Sequence, residues 1–322
     1  MIATQIMPIA AYDISDIGSK AVSAAWPQPV PEAGHRYRWL HFDVADAAMR
    51  SWAYQHLPDI AAGALVQPET RPRCERHDAG LILNLRGVNL NPQSSPEDMV
   101  SLRMWVTEGA VVSARVRKVF AMDALREAAE GGTAPQTVGQ FLVALVHGLT
   151  NRIETVVLDL EEKTDALDDR VLEGASATGA DLTGLRQTVI KLRRFLNPQR
   201  EAITAMAGLR DWILSPDELA ELGEASNRTR RIVEQLDALR ERLMSLQDHV
   251  DAERAQAMSR NSYILSIMAA IFLPLGFLTG LFGANVAGMP GTATPAAFWI
   301  LAFGSVATGL LLFLIFRWTK LL

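Results

Sequence analysis

Between Arg260 and Arg317 the chain carries no charged residue. This silent stretch holds two apolar runs, from about Tyr263 to Phe282 and from about Ala297 to Trp318, separated by Gly283-Ala284-Asn285-Val286-Ala287-Gly288-Met289-Pro290-Gly291-Thr292-Ala293-Thr294-Pro295. Each run reaches roughly 20 residues, which at about 1.5 Å per helical residue matches the hydrocarbon core of a bilayer. The expectation is a two-helix hairpin in a membrane, over residues 262–322, with everything before it soluble in character. Arg254 and Arg260 precede the first run, Arg317 and Lys320 follow the second, and the connecting loop has no charge. The positive-inside rule then puts both chain ends of this multi-pass protein in the cytoplasm. Met1 to Ala11 lacks a basic start and a clear apolar core, so it does not read as a signal peptide.

The 322 residues leave room before the membrane for one large or two small domains with real cores. A net charge of -5, with Lys and Arg interspersed among Asp and Glu, disfavours nucleic acid as a partner, because phosphate binding needs a concentrated basic face. The single cysteine, Cys74, excludes an internal disulfide and suits a reducing compartment. Asn227-Arg228-Thr229 matches a glycosylation sequon but falls on the expected cytosolic side. The chain shows no phosphate-binding glycine loop, nucleophile motif or HExxH-like pattern, so it does not read as an enzyme, and no cofactor is expected.

Residues 1–130 read as an α/β domain. In Arg38 to Val44, Trp39, His41 and Asp43 alternate with Leu40, Phe42 and Val44, the pattern of a half-buried strand. Arg73 to His77, Leu81 to Arg86 and Ser101 to Val106 read as further strands, and Glu108-Gly109 as a tight hairpin turn before Ala110 to Arg117. Asp46 to Leu57 and Met122 to Glu130 read as helices.

Past Gly131-Gly132 the text turns helical, and residues 131–261 read as a helical bundle and stalk. Pro135 is placed in the first turn of a helix whose apolar stripe includes Phe141, Leu145, Ile153 and Leu160. Gly174 to Gly179 reads as a loop, and a second helix covers roughly Leu182 to Leu196 and continues past Pro198. A third begins with Ser215 as cap and Pro216 at its first position, and carries Ile232, Leu236, Leu239, Leu243, Leu246 and Val250 at alternating spacings of four and three. No breaker separates this seam from the first membrane run before Pro274, so one helix of about 60 residues, about 90 Å long, is expected to pass from cytosol into bilayer. Its seam calls for partner helices, from the same chain or from other copies.

Along the first membrane run Ser262, Ser266, Ala269, Leu273, Gly276, Gly280 and Gly283 recur at spacings of four and three. Two readings of this stripe stand side by side. It is a small-xxx-small seam that lets two helices approach closely, or it lines an axial channel. Asn285 favours the second, because a neutral amide just beyond the helix end, in a glycine-containing loop, forms a ring of carbonyl oxygens when repeated by symmetry. Neither run contains Asp, Glu, His or Cys, so a passing ion finds no soft ligand and no proton-relay carboxylate, and is expected to keep much of its water. Two helices per chain do not enclose a path, which again calls for several subunits.

Gly283-Ala284-Asn285, placed directly after a charge-free helix and before a short loop and a second run, resembles the GxN signature of the CorA family of divalent-cation transporters. The run from Tyr263 through Met289-Pro290-Gly291 is similar to the zinc-transporter, or ZntB, branch of that family. The magnesium branch usually has Tyr-Gly-Met-Asn at the signature; here Phe282 takes the aromatic place and Ala284 replaces Met, where the zinc branch commonly has Val or Ile. Arg71 to His77, Leu85 to Pro92, Asp98 to Arg103 and Asn197 to Glu201 also resemble zinc-branch text, so the likeness covers nearly the whole chain. It implies a CorA-like funnel, a homopentamer, with an N-terminal α/β domain, a long stalk helix continuing into the pore-lining span, and an outer second span. It implies Zn2+ as the transported ion, with proton or gradient coupling. The pore face then falls on Ser262, Ser266, Ala269, Leu273, Gly276 and Gly280, with Leu273 as a hydrophobic constriction and Gly283, Ala284 and Asn285 as the outer filter meeting a hydrated ion.

Metal ligands outside the membrane are harder to place. Cys74 and His77 stand at a spacing zinc tolerates, but on a strand the odd spacing puts them on opposite faces. His249, close to Asp248 and Asp251, would meet its symmetry mates in an oligomer; otherwise it is a solvated stalk residue. The acidic run Glu161, Glu162, Asp165, Asp168 and Asp169 attracts cations by field or simply keeps a helix soluble. The leading expectation is a zinc transporter. The alternatives are a Mg2+, Co2+ or Ni2+ channel of the same family and, from another class, a membrane-anchored scaffold or sensor.

Overall fold

A computed structural model of the chain describes residues 6–22, 35–78, 80–173, 179–210, 212–284, 289, 291 and 294–318. It divides into two compact units, Met1–Gln247 and Asp248–Leu322.

The first unit is built on a mixed sheet. Its strands are β1 (Ala10–Ser15), β2 (Gly18–Ala21), β3 (His35–Asp43), β4 (Arg73–His77), β5 (Gly80–Gly87), β6 (Val100–Thr107) and β7 (Ala110–Arg115), and their spatial order is β2-β1-β3-β7-β6-β5-β4. Only the β3–β7 pairing is parallel among the described strands. Thr107 pairs with Ala110, so Glu108-Gly109 forms the expected two-residue hairpin loop. Helices α1 (Met49–His56) and α2 (Asp59–Val66) lie between β3 and β4 in the chain, and α3 (Phe120–Glu130) follows β7.

β3 corrects one expectation, for it is buried on both faces. Leu40 and Phe42 pack with Met49, Trp52 and Leu65 of α1 and α2, while Tyr37 and Trp39 pack on the other side with Phe141, Leu142 and Val146 of α4 (Val138–Leu172). The polar positions of its alternating text are accommodated inside. His41 Nδ1 lies 2.9 Å from Ser113 Oγ, and Arg38 makes a two-pronged pair with Asp13 directly opposite on β1, at 2.6 and 2.7 Å. Alternation thus marks a strand correctly but misjudges its burial, because a polar residue with a local partner can occupy a covered face.

Beyond α3 the helices of this unit follow the text, with one adjustment at the start of α4. Pro135 precedes α4, whose cap is Thr137, with its side-chain oxygen accepting from the Gln140 amide at 3.0 Å. α5 (Gly179–Ala207) continues past Pro198, as expected. The start of α6 (Pro216–Gly283) is as expected: the Glu218 amide donates to Ser215 Oγ at 3.3 Å, and the Ser215 amide donates back to Glu218 Oε2 at 2.7 Å.

α6 is 68 residues long, and its seam residues Ile232, Leu236, Leu239, Leu243 and Leu246 are buried within a single chain. α4 and α5 supply partners: Arg242 pairs with Asp165 and Asp168 of α4, Arg228 with Glu154 of α4, and Arg193 of α5 with Asp237. The same chain thus supplies partners for this part of the seam.

In the second unit the last part of α6 is joined by α7 (Ala297–Trp318). Among the described residues three helices are apolar and long enough to cross a membrane, by length and composition. α4 is one of them, but half of its most apolar stretch is buried inside the protein, against none for the corresponding stretches of α6 and α7. α4 owes its apolar character to the sheet it covers; α6 and α7 expose theirs to whatever surrounds them.

Candidate functional site

The geometry that matters lies on the membrane part of α6. Ile267, Ile271, Pro274, Leu275 and Leu278 are partly covered, whereas Ser262, Ser266, Ala269, Leu273, Gly276, Gly280 and Gly283 are exposed. At about 100° per residue the two sets centre on opposite sides of the helix. α7 takes the first side: a Cβ added to Gly309 would stand 3.7 Å from Leu275 Cδ1. The partly covered residues of α7, Ala297, Leu301, Ala302, Ser305, Thr308, Gly309, Leu312 and Phe316, recur at helical spacing and include the small ones that admit the large side chains of α6.

The small stripe is therefore not the contact between α6 and α7. A Cβ added to Gly276, Gly280 or Gly283 would meet nothing within 4 Å, and Leu273 is 73% exposed. The Ser266 hydroxyl donates to the Ser262 carbonyl at 2.9 Å, and the Thr279 hydroxyl to the Leu275 carbonyl at 2.9 Å. Both hydroxyls are thus satisfied within the helix. Gly283 closes α6 and Ala284 is exposed just beyond it. Asn285, the central residue of the expected filter, lies outside the described residues.

The remaining candidate ligands are scattered. Cys74 is half-buried on β4 and packs against the core that includes Leu83 and Leu85. Burial, with help from the adjacent Glu75 carboxylate, pushes its thiol up to about 12, so it is not a thiolate at neutral pH. His77 Nε2 lies 3.2 Å from Asp78, at the far end of the same strand. His249 is exposed, 3.6 Å from Glu253 on the next turn of α6. Within the acidic run, Asp165 and Asp168 are committed to Arg242; just ahead of it, Asp159 pairs with Lys163 at 2.6 Å. Among the described residues no three His, Cys, Asp or Glu side chains come together as a metal site.

Sequence reasoning passes over a second polar region, around Arg86 and Arg103 on β5 and β6. Its signal is a cation at a strand position whose neighbours in sequence are core residues: Arg103 lies between Leu102 and Met104 and is 1% exposed.

Fold and stripe together define a class: an α/β unit followed by a helix pair of membrane-spanning length, with the small-residue side of α6 turned away from α7. The family model described as "CorA-like Mg2+ transporter protein" matches residues 34–317, and the chain belongs to that family. It is 33% identical over 291 residues to the zinc transport protein ZntB of Yersinia enterocolitica, covering 90% of this chain and 89% of that one. It is 37% identical over 278 residues to the divalent cation transporter CmaX of Pseudomonas aeruginosa, covering 84% and 83% of the two chains. The solved structure of full-length CmaX matches at a TM-score of 0.82 and 32% identity, covering 98% of this chain and 97% of that one.

Proposed function

We propose that this chain is a ZntB-type transporter that carries zinc through an axial pore assembled from several copies, five by family resemblance. The observation that carries the reading is the bare stripe of α6 on the side opposite α7. Charge-free spans in a bilayer have their large apolar faces against lipid or α7, which leaves the small, hydroxyl-bearing face to surround an axis shared by the copies. Ser262, Ser266, Ala269, Leu273, Gly276 and Gly280 line that axis, and Gly283, Ala284 and Asn285 form its outer filter. The lining offers no carboxylate, imidazole or thiol, so the ion passes hydrated and is held at the filter by neutral amide oxygens rather than by direct ligation.

In this reading residues 1–130 form the N-terminal domain, 131–261 the bundle and stalk, and 262–322 the membrane domain, with both termini cytoplasmic in an inner membrane. The chain acts as a transporter, not as an enzyme, and needs neither cofactor nor nucleic acid. Proton coupling is part of the proposal through family resemblance, since the spans themselves hold no titratable relay.

The second reading is a channel for Mg2+, Co2+ or Ni2+. A neutral filter selects size and charge of the hydrated ion more than ligand softness, and CmaX, at 37% identity, is named for divalent cations in general. Reconstitution in liposomes with an internal zinc indicator tests both. Zinc entry that responds to an imposed pH gradient and falls at least tenfold in Asn285→Ala supports the zinc reading. Entry of magnesium without zinc supports the second. Full flux in an assembled Asn285→Ala protein removes the filter from the account and leaves the hairpin as an anchor.

A further inference from the structure

β4, β5 and β6 bring a row of polar side chains across one face of the sheet: Arg73 stands opposite Asn84, and Asn84 opposite Arg103. Arg86, two residues along β5 from Asn84, shares that face. Its guanidinium stacks on the Phe195 ring of α5, 3.8 Å from the ring centre. Two cavities, of about 540 and 520 Å3, share Arg86, Arg194 and Phe195 in their walls. The first is completed by Arg71, Arg73 and Asn84 among others, the second by Ser101, Arg103, Arg117 and Lys191.

The walls hold more positive charge than their carboxylates balance. Lys191 is taken by Asp98 at 3.0 Å and Glu97 at 3.8 Å, and Arg73 by Glu75 at 3.2 Å. Of the wall carboxylates this leaves Glu69, against Arg71, Arg86, Arg103, Arg117 and Arg194. Arg86 donates to the Met99 and Thr70 carbonyls, and Arg103 to those of Gln67 and Pro68, all at 2.7–3.1 Å. Even so, Arg86 Nε, Arg103 Nη1 and the Ser101 hydroxyl are buried with no hydrogen-bond partner, and so is the Asn84 side-chain oxygen. Burial, together with the neighbouring guanidinium groups of Arg103 and Arg194, pushes Arg86 down to about 10. Like charges gathered in a partly dry place with too little counter-charge are costly in the free protein, and an anion offsets that cost.

We propose that these two cavities, as lobes that meet at Arg86, Arg194 and Phe195, bind a soluble phosphate-bearing anion whose diphosphate moiety sits at that shared wall. Guanidinium forks match the oxygens of a phosphoryl group two at a time, and the wall is built of arginine rather than lysine. Each lobe falls within the range of small-molecule sites and leaves room beyond a phosphoryl group for the rest of an ester. Arg86 occupies a face of Phe195, so recognition rests on the charged moiety and not on stacking of a base. The site is independent of which cation the chain carries.

The test is calorimetric titration of the full-length chain in detergent, in metal-free buffer at constant ionic strength, with pyrophosphate as probe and orthophosphate, sulfate and citrate as comparisons. One saturable pyrophosphate site per chain is expected, binding more tightly than citrate. Arg194→Gln and Arg117→Gln, both at exposed side chains, each weaken it about tenfold or more. Arg126→Gln, which changes an arginine paired with Glu130, leaves it unchanged. No saturable binding overturns the proposal; so does pyrophosphate binding that neither substitution weakens, or citrate binding as tightly as pyrophosphate.

Discussion

Leu275 of α6 rests against Gly309 of α7, and Gly276, one residue on, faces open space. That single step along the helix separates the side that holds the hairpin together from the side assigned to the ion path. The two sides answer differently to added bulk. Gly309→Leu overpacks the α6–α7 contact and is expected to cost about 1–3 kcal/mol of hairpin stability. Gly280→Leu meets nothing within its own chain, so the melting of the detergent-solubilised protein stays close to wild type unless copies touch there. Its zinc flux falls at least tenfold because the side chain enters the path. Thermal melting and liposome flux on the same two variants check the pair of expectations.

Arg38 and Asp13 form a buried pair, with side chains 9% and 6% exposed, on adjacent strands. Removing one partner strands the other charge, and Asp13→Ala is expected to destabilise the sheet unit by about 3–5 kcal/mol. The double change Asp13→Leu with Arg38→Met recovers much of that loss. Denaturant midpoints followed by far-UV circular dichroism would show the difference between single and double variants.

His41 sets an acid limit. The Ser113 hydroxyl donates to the Leu40 carbonyl at 3.1 Å, which leaves His41 Nδ1 as donor to Ser113 Oγ. Burial, reinforced by Arg115 and Arg126, lowers the imidazole to about 3 from its usual 6.5. Above pH 6.5 the ring is neutral in both folded and unfolded chains and contributes no pH dependence. As pH falls from 6.5 towards 3 the unfolded chain takes up a proton that the folded one refuses, so stability drops by up to about 1.4 kcal/mol per pH unit. In His41→Asn the stability measured at pH 7 is lower, but its decline over this window is shallower by that amount.

Cys74 behaves as a core thiol. With its ionisation pushed up to about 12, it reacts slowly with maleimide at neutral pH in the native protein, and rapidly once unfolded. Cys74→Ser is expected to leave zinc flux within about twofold of wild type, since the side chain packs against the sheet core and meets no cluster of metal ligands among the described residues. Loss of flux in this variant would make the cysteine a ligand after all.

β3 to β7, the hairpin at Glu108-Gly109, the Ser215 cap and the continuity of α6 up to Pro274 are legible in the text because each rests on short-range chemistry: alternation, turn residues, capping, and the absence of a breaker before that proline. β1, β2 and α2 are not legible. β1 and β2 are short and carry mixed small and polar residues, and α2 reads Asp-Ile-Ala-Ala-Gly-Ala-Leu-Val, a run whose period is blurred by small side chains. The burial of both faces of β3 is a property of what the rest of the chain lays over it. The stripe of α6 is visible as spacing, but whether it meets α7 is decided by which side of the helix the return span takes. The arginines around Arg86 escape notice because they lie far apart in sequence and meet only through the pairing of β4, β5 and β6 with α5.

The central claim is that the side of α6 facing away from α7 surrounds the ion path. Its most direct test places single cysteines in a Cys74→Ser background, Ser266→Cys on the bare stripe and Ile271→Cys on the covered side, and follows zinc flux in liposomes before and after a charged, water-soluble thiol reagent. The account predicts that modification abolishes flux through Ser266→Cys and leaves Ile271→Cys unaffected. Flux that survives modification at Ser266→Cys, or is lost only at Ile271→Cys, would contradict it.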